Sequence, residues 1–414
     1  MTFDPCRFLY DAARTRNGQT FEHHIDGRRV IVVQSMEGAS RVLRSNADNY
    51  SKELWPFRQV MGASRLTEDG TAWRHREAVT QPYLSRFNSH KLAAVSHRHA
   101  GALAQRLLAD KRPGRLDQFS IDVTTIRILA DALLGGRLAE EAEDFAADMH
   151  IMLDYAASYA FSARESNTQI ERQITRNLAV TRQRMLQRLT AVRQNLPSGD
   201  NVLRALDAAD QAGVAGILFQ HELMMLFSAG ADTSAAALGW CCMSLAENLD
   251  MQEALREEVS ALHVDQLSDH EALARLPLLN GFIDETLRLY PPIPMLGRIA
   301  KSSDTLDKLP VEPETLILVS ITGVQRDEKL WPDADTFSAA RHGMEGNRSA
   351  RAIPFSTGPR ICGGARFAMI ELRAVMATLV RRLRFGLSDL EPGDFQWRIS
   401  MRRKLGHPVR ISPV

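Results

Sequence analysis

The segment Phe355-Ser356-Thr357-Gly358-Pro359-Arg360-Ile361-Cys362-Gly363-Gly364 places a cysteine between glycines, directly ahead of a helical pattern. Gly358 permits a sharp turn, and Gly363 and Gly364 let backbone amides approach the sulfur. Hydrogen bonds and the helix dipole then both favour thiolate over thiol, so Cys362 reads as a metal ligand or a nucleophile. A lone free cysteine is more often simply buried. It is the surrounding pattern that points to chemistry. A second candidate lies in Ala229-Gly230-Ala231-Asp232-Thr233-Ser234, midway along an apolar helical stretch. An acid beside a hydroxyl can relay protons, although a threonine bonded back to a helix carbonyl and a solvent-facing aspartate would look the same. Glu285 and Arg288, three apart ahead of Pro291-Pro292, share one helix face and can pair. Glu253 and Arg256 have the same spacing and read as a solvated surface pair.

Taken together these segments resemble the cytochrome P-450 family. Its haem-binding signature is Phe, two residues, Gly, one residue, Arg, one residue, Cys, one residue, Gly, matched here by Phe355, Gly358, Arg360, Cys362 and Gly364. The resemblance implies that Cys362 is the axial thiolate ligand of haem iron, pushing electron density to favour O–O cleavage. It also implies that Phe355 shields the proximal face and that Arg360 pairs with a haem propionate. The Asp232-Thr233 segment is similar to the family's oxygen-activating motif. By the same resemblance Glu285 and Arg288 join an arginine from a later loop in a structural network, and Trp331-Pro332-Asp333-Ala334-Asp335-Thr336-Phe337-Ser338-Ala339-Ala340-Arg341 puts Arg341 in that place. Gly70-Thr71-Ala72-Trp73-Arg74-His75-Arg76 resembles the helix that holds the propionates, with Trp73 as donor and Arg298 as a further partner. Here the chain departs from the pattern: family members often carry a basic residue four positions after the Trp, whereas this chain has Glu77, with Arg74 and Arg76 nearby. A carboxylate cannot neutralise a propionate, so another group must serve. The resemblance runs from about residue 50 to the C-terminus.

The elements that must hold these groups follow from hydrophobic periodicity. Residues 20 to 33 alternate around Asp26-Gly27 and predict a hairpin, so strands are expected to open the chain in a β-containing part over about 1–60. Spacings of three and four, as at Leu103 and Leu107 or Leu223, Leu226 and Phe227, predict a helical core over about 70–290. Strand-like runs such as Leu316-Ile317-Leu318-Val319 follow, then a long irregular loop from Arg326 to Ala352, a helix from Gly364 to Arg384 and a β-like tail. No repeat or linker divides the chain. The expectation is a mainly α fold with a small β portion, the cytochrome P-450 fold, as one unit over 1–414.

With 51 Lys+Arg against 50 Asp+Glu, the formal net charge of +1 excludes any global attraction to nucleic acid or anionic membrane. Cys6, Cys241, Cys242 and Cys362 cannot staple 414 residues, so free thiols in a reducing, cytoplasmic setting are expected. The N-terminal residues show neither a signal-peptide core nor an anchor, and the apolar stretch Val214 to Gly230 is broken by His221 and Glu222, so no membrane anchor is expected. His23-His24 and His97/His99 lack partners at zinc spacing and read as surface residues. No nucleophile elbow, Walker loop or dinucleotide turn appears.

The resemblance therefore implies haem b (iron protoporphyrin IX), O2 and separate electron donors such as ferredoxin and ferredoxin reductase. Arg366, Arg373, Arg381, Arg382 and Arg384 form either part of a docking face for them or a solvated helix face. The implied activity is monooxygenation of a hydrophobic small molecule, by hydroxylation or epoxidation. Leu66, Ala229, Ile293, Met295 and Leu296 are the expected pocket residues. The chain resembles the soluble bacterial members that tailor secondary metabolites, and a monomer is expected. A peroxide-using or rearranging haem-thiolate enzyme and a non-catalytic haem-thiolate sensor are the alternatives.

Overall fold

Asp4 accepts hydrogen bonds from the amides of Cys6 and Arg7 and starts a helix, α1 (Pro5–Arg16), where the sequence predicts strands. An N-cap aspartate followed by proline is a helix start, and the apolar stripe of Leu9, Ala12 and Ala13 is buried. The computed structural model describes residues 3–110, 114–161, 167–342 and 352–414. The expected hairpin follows as β1 (Phe21–Ile25) and β2 (Arg28–Val33), turned at Asp26 (φ 48°) and Gly27 (φ 77°). Positive φ at both positions is what a two-residue hairpin turn demands.

The hairpin is only part of a sheet. Its order is β1-β2-β7-β4-β3, with β3 (Tyr50–Lys52), β4 (Met295–Ala300) and β7 (Leu316–Ser320). β2 runs parallel to β7, and the other pairs are antiparallel. The β portion is thus built from both ends of the chain. Three two-stranded pairs, β5 (Asp304–Leu306) with β6 (Leu309–Val311), β8 (Leu383–Leu387) with β11 (Val409–Pro413), and β9 (Phe395–Trp397) with β10 (Met401–Arg403), complete it.

Between the two parts of the sheet come α2 (Met36–Ser40), α3 (Trp55–Met61), α4 (Gly70–Ser85), α5 (Ser89–Ala109), α6 (Gln118–Leu134), α7 (Ala142–Ser158), α8 (Asn167–Asn177), α9 (Ala179–Gln194) and α10 (Val202–Gln211). They continue through α11 (Phe219–Glu247), α12 (Leu249–Ser260), α13 (His270–Ala274) and α14 (Pro277–Leu289). α15 (Ile321–Val324) and α16 (Ala365–Arg382) follow β7. The fold is mainly α with a small sheet portion. α11 is the central helix: buried residues run along nearly its whole length, and it packs on α6, α14 and α16. Among the described residues it is the one helix long and apolar enough to cross a membrane, and more than half of its apolar window is buried inside the protein. Of the expected loop from Arg326 to Ala352, the part up to His342 forms turns and a short 3-10 helix, and residues 343–351 lie outside the described residues.

Candidate active site

The cysteine loop is built by local constraints. Gly358 has φ 75°, and a Cβ there would lie 2.1 Å from the Leu43 carbonyl oxygen, so no other residue fits. The Cys362 amide donates to the Phe355 carbonyl at 2.9 Å and closes the loop, and Gly364 caps α16. Cys6, Cys241 and Cys242 are buried; Cys362 alone is exposed. Its surroundings still crowd the sulfur: burial raises its pKa, opposed by the amides of Gly364 and Ala365 and by the Arg65 charge. The amides do aim at the sulfur as expected, yet the chain by itself leaves the thiol protonated. A bound metal cation deprotonates a coordinating thiol outright, so this donor set suits a metal ligand better than a free nucleophile.

On α11, Asp232 is fully buried rather than facing solvent. Its Oδ1 lies 2.6 Å from an Arg402 Nη; the other arm of Arg402 donates to Asp122 Oδ1 at 2.6 Å, and Asp122 Oδ2 lies 3.1 Å from His150 Nε2. Asp232 Oδ2 is buried and has no hydrogen-bond partner among the described residues. Thr233 does bond back along its helix, donating to the Ala229 carbonyl at 2.6 Å. Ser234 donates to Glu371 Oε2 at 2.6 Å and ties α11 to α16. Glu371 is a site residue that the sequence reading missed; the available signal was a carboxylate on the face of α16 otherwise lined by Ile370, Ala374 and Val375. Burial pushes its pKa up to about 8, against the pull of the Ser234 hydroxyl.

The Glu285 and Arg288 side chains are both fully buried. Two Arg288 nitrogens donate to the two Glu285 oxygens at 2.8 Å, and Arg341 Nε lies 3.2 Å away, so all three expected members meet. His342 Nε2, unforeseen, joins at 2.8 Å. Burial alone would raise the Glu285 pKa, but the bonds from Arg288 and His342 hold it at about 2. The comparison pair fails its expectation: Arg256 is buried and donates to the carbonyls of Val380 and Leu383, so Glu253 and Arg256 are not a solvated pair.

Around Trp73 the cations are unevenly committed. Arg360 lies over the indole at 4.4 Å, binds Asp69 at 2.5 Å and donates to the Glu68 carbonyl at 2.7 Å. Arg298 is buried, donating to the Gly297 carbonyl at 2.8 Å, beside Lys52 in the paired register of β3 and β4. Arg74 is exposed, and Arg76 is spent on Glu222 at 2.9 Å and on the carbonyls of Ala215 and Gly216. Of the expected pocket residues, Leu66, Ala229 and Ile293 pack against the main core, as does Phe355. Met295 and Leu296 do not share a face: successive strand residues point to opposite sides, and the two pack into different clusters of the sheet. At most one of them lines a common pocket. Arg373 and Arg381 are half-buried, donating to Asn280 and to the Leu262 carbonyl, which leaves Arg366, Arg382 and Arg384 exposed. His97 and His99 are half-buried and bonded to Thr378 and Asp131.

A mainly helical fold around one buried helix, a cysteine offered by a glycine-bounded loop and an arginine laid over an indole fit a haem-thiolate oxygenase. The family model described as Cytochrome P450 matches residues 5–407. The chain belongs to the cytochrome P450 family, whose members are monooxygenases that bind iron protoporphyrin IX. It is similar to Cytochrome P450 72A11 of Arabidopsis thaliana, 24% identical over 90% of this chain and 77% of the relative. It is also similar to the Cytokinin hydroxylase of Arabidopsis thaliana, 36% identical over 41% of this chain, and to Cytochrome P450 4F12 of Homo sapiens, 35% identical over 45%. The matches span only 34% and 36% of those two proteins. These relatives are plant and animal proteins, so the expected bacterial affiliation is not borne out.

Proposed function

We propose that the chain inserts one atom of O2 into a hydrophobic small molecule, by hydroxylation or epoxidation, with Cys362 as the axial ligand of haem b. The observation that carries this reading is the presentation of Cys362: the one exposed cysteine of four, held at a helix start with two amides on its sulfur. When bound, the haem supplies the activation of O2. The chain's part is to hold, shield and deliver protons. Phe355 opens the cysteine loop, packs against the main core and shields the sulfur. Asp232, whose second oxygen has no hydrogen-bond partner among the described residues, and Thr233, whose hydroxyl donates to the Ala229 carbonyl, are the groups that hold and pass a proton. Leu66, Ala229 and Ile293 offer an apolar wall to the substrate. The naming of one relative as a hydroxylase supports that outcome. Arg360, Arg298 and Trp73 hold the propionates, and Glu285, Arg288 and Arg341 support the fold beneath.

Electrons come from a ferredoxin and its reductase, or an equivalent pair, meeting the exposed Arg366, Arg382 and Arg384. Free cysteines support a cytoplasmic enzyme, working as a monomer in secondary-metabolite chemistry. A buried Asp232 beside Thr233 favours turnover over a sensor, which needs no proton donor.

The test is the absorption spectrum of the reduced, CO-bound protein. Wild type, Cys241→Ala and Cys242→Ala are expected to show the long-wavelength Soret band of thiolate ligation, and Cys362→Ser to lack it; a band surviving in Cys362→Ser refutes the assignment. Thr233→Ala is expected to keep band and substrate affinity while the ratio of product to NADH consumed falls and peroxide rises. Wild-type coupling in that variant removes the proton role.

A further inference from the structure

α4 carries a carboxylate, Glu77, four positions beyond Trp73, and neither arginine beside Trp73 makes up for it, since Arg74 is exposed and Arg76 is bound to Glu222. A cation does reach that place from the loop ahead of the helix. The Arg65 side chain is only 11% exposed and lies 3.8 Å from Glu77. Its Nη1 donates to Thr80 Oγ1 at 2.9 Å and its Nη2 to Gln81 Oε1, both on α4. The same end of the guanidinium abuts the cysteine loop: a Cβ built on Gly363 would come 2.9 Å from Nη2. Both Glu222 oxygens accept the Arg65 amide at 3.1 Å, so the loop that carries the guanidinium is itself fastened to α11.

The charges around it do not balance. Lys52, Arg65, Arg298 and Arg360 face Asp69 and Glu77, while the neighbouring Glu53 and Glu222 pair with Arg28 and Arg76. Four cations against two acids leave an excess of two positive charges. Burial and mutual repulsion lower the pKa of Lys52, and that of Arg298 to about 10. Buried like charges persist together when an anion completes the set. The two propionates of haem supply the missing two negative charges.

We propose that Arg65 binds a haem propionate in place of the cation that α4 lacks, with Glu77 as the residue that positions its guanidinium. A planar guanidinium grips a carboxylate through two parallel N–H donors, which a lysine ammonium cannot do. The chain has exchanged a cation on the helix for a carboxylate that holds a cation brought by the loop.

The experiment follows haem transfer from the haem-loaded protein to excess apomyoglobin, read by absorbance, for wild type, Arg65→Gln and the double variant Arg65→Gln/Glu77→Arg. Arg65→Gln is expected to release haem roughly tenfold faster, the effect of losing one charge-assisted hydrogen bond. The double variant, which places a cation directly on α4, is expected to return to within about twofold of wild type, because a bonded charge is restored. It still lacks the bonds from Arg65 to Thr80 and Gln81, so its recovery can come only from the restored charge, even if Arg65→Gln holds no haem at all. A wild-type release rate in Arg65→Gln, or a loss that Glu77→Arg does not repair, overturns the proposal. The CO-bound Soret position of the haem that remains is expected to be unchanged throughout, which separates this role from that of Cys362.

Discussion

Among the described residues no cation stands beside Glu371 and its Oε1 has no hydrogen-bond partner, so the Ser234 hydroxyl is the one stabilising contact they give it. Burial pushes its pKa up to about 8 from an ordinary 4.5. A carboxyl raised in this way binds its proton more tightly in the folded chain than in the unfolded one. Its contribution to stability is therefore complete below about pH 4.5 and is lost as pH rises toward 8. Glu371→Gln, which cannot ionise, is expected to melt with wild type at pH 5 and above it at pH 9. A difference in melting temperature that stays constant across that range would show that the carboxyl ionises freely in the fold. At this scale Cys362 was legible because its loop is contiguous in sequence. The Asp232 partner was not: Arg402 lies 170 positions away, and nothing in either segment announces the pairing.

Helix pairs show why spacing alone misleads. Glu285 with Arg288 and Glu253 with Arg256 have identical i,i+3 spacing, and what separates them is the surface laid over each. On α14 the loop around Ser338 to His342 covers the pair and adds His342 as a partner. On α12 the end of α16 covers only the arginine, and Glu253 stays half exposed. Arg256 thereby fastens α12 to the point where α16 gives way to β8. Arg256→Ala is expected to lower unfolding stability by about 1–3 kcal/mol, the loss expected when hydrogen bonds to a charged group go. Glu253→Ala, which removes only the half-exposed partner, is expected to lose under about 1 kcal/mol. Urea unfolding of the two variants checks the order, and equal losses would place Arg256 at the surface. Glu285→Ala or Arg288→Ala, by leaving one buried charge unpaired, is expected to lose about 3–5 kcal/mol and to yield little soluble haem protein.

For the molecule as a whole, helical content and the cysteine loop were readable because both rest on local patterns. The sheet was readable only in part. Its hairpin announces itself through Asp26-Gly27, whereas β2 finds its parallel neighbour β7 almost 290 residues later, and periodicity carries no sign of such a partner. α1 was lost to the prominence of that hairpin, and the pocket residues Met295 and Leu296 were grouped by sequence proximity when the pleat separates them. The cation that answers Glu77 lies on another element, so composition could state the deficit but not its remedy.

Trp240 stacks on Tyr290, 4.3 Å between ring centres and 3° from parallel, deep in α11. It stands seven residues from Thr233, about 10 Å of helix rise. A buried indole this near the Asp232-Thr233 segment is an intrinsic optical ruler. Its emission overlaps the absorption of a porphyrin, and dipolar energy transfer from one to the other is efficient over a few nanometres. Loading with haem is expected to quench the tryptophan fluorescence, and Trp240→Phe to remove a measurable share of the signal that haem extinguishes. The chain thus carries its own label for timing cofactor uptake, and the release rates of the Arg65 and Glu77 variants can be followed by light emitted from the protein itself.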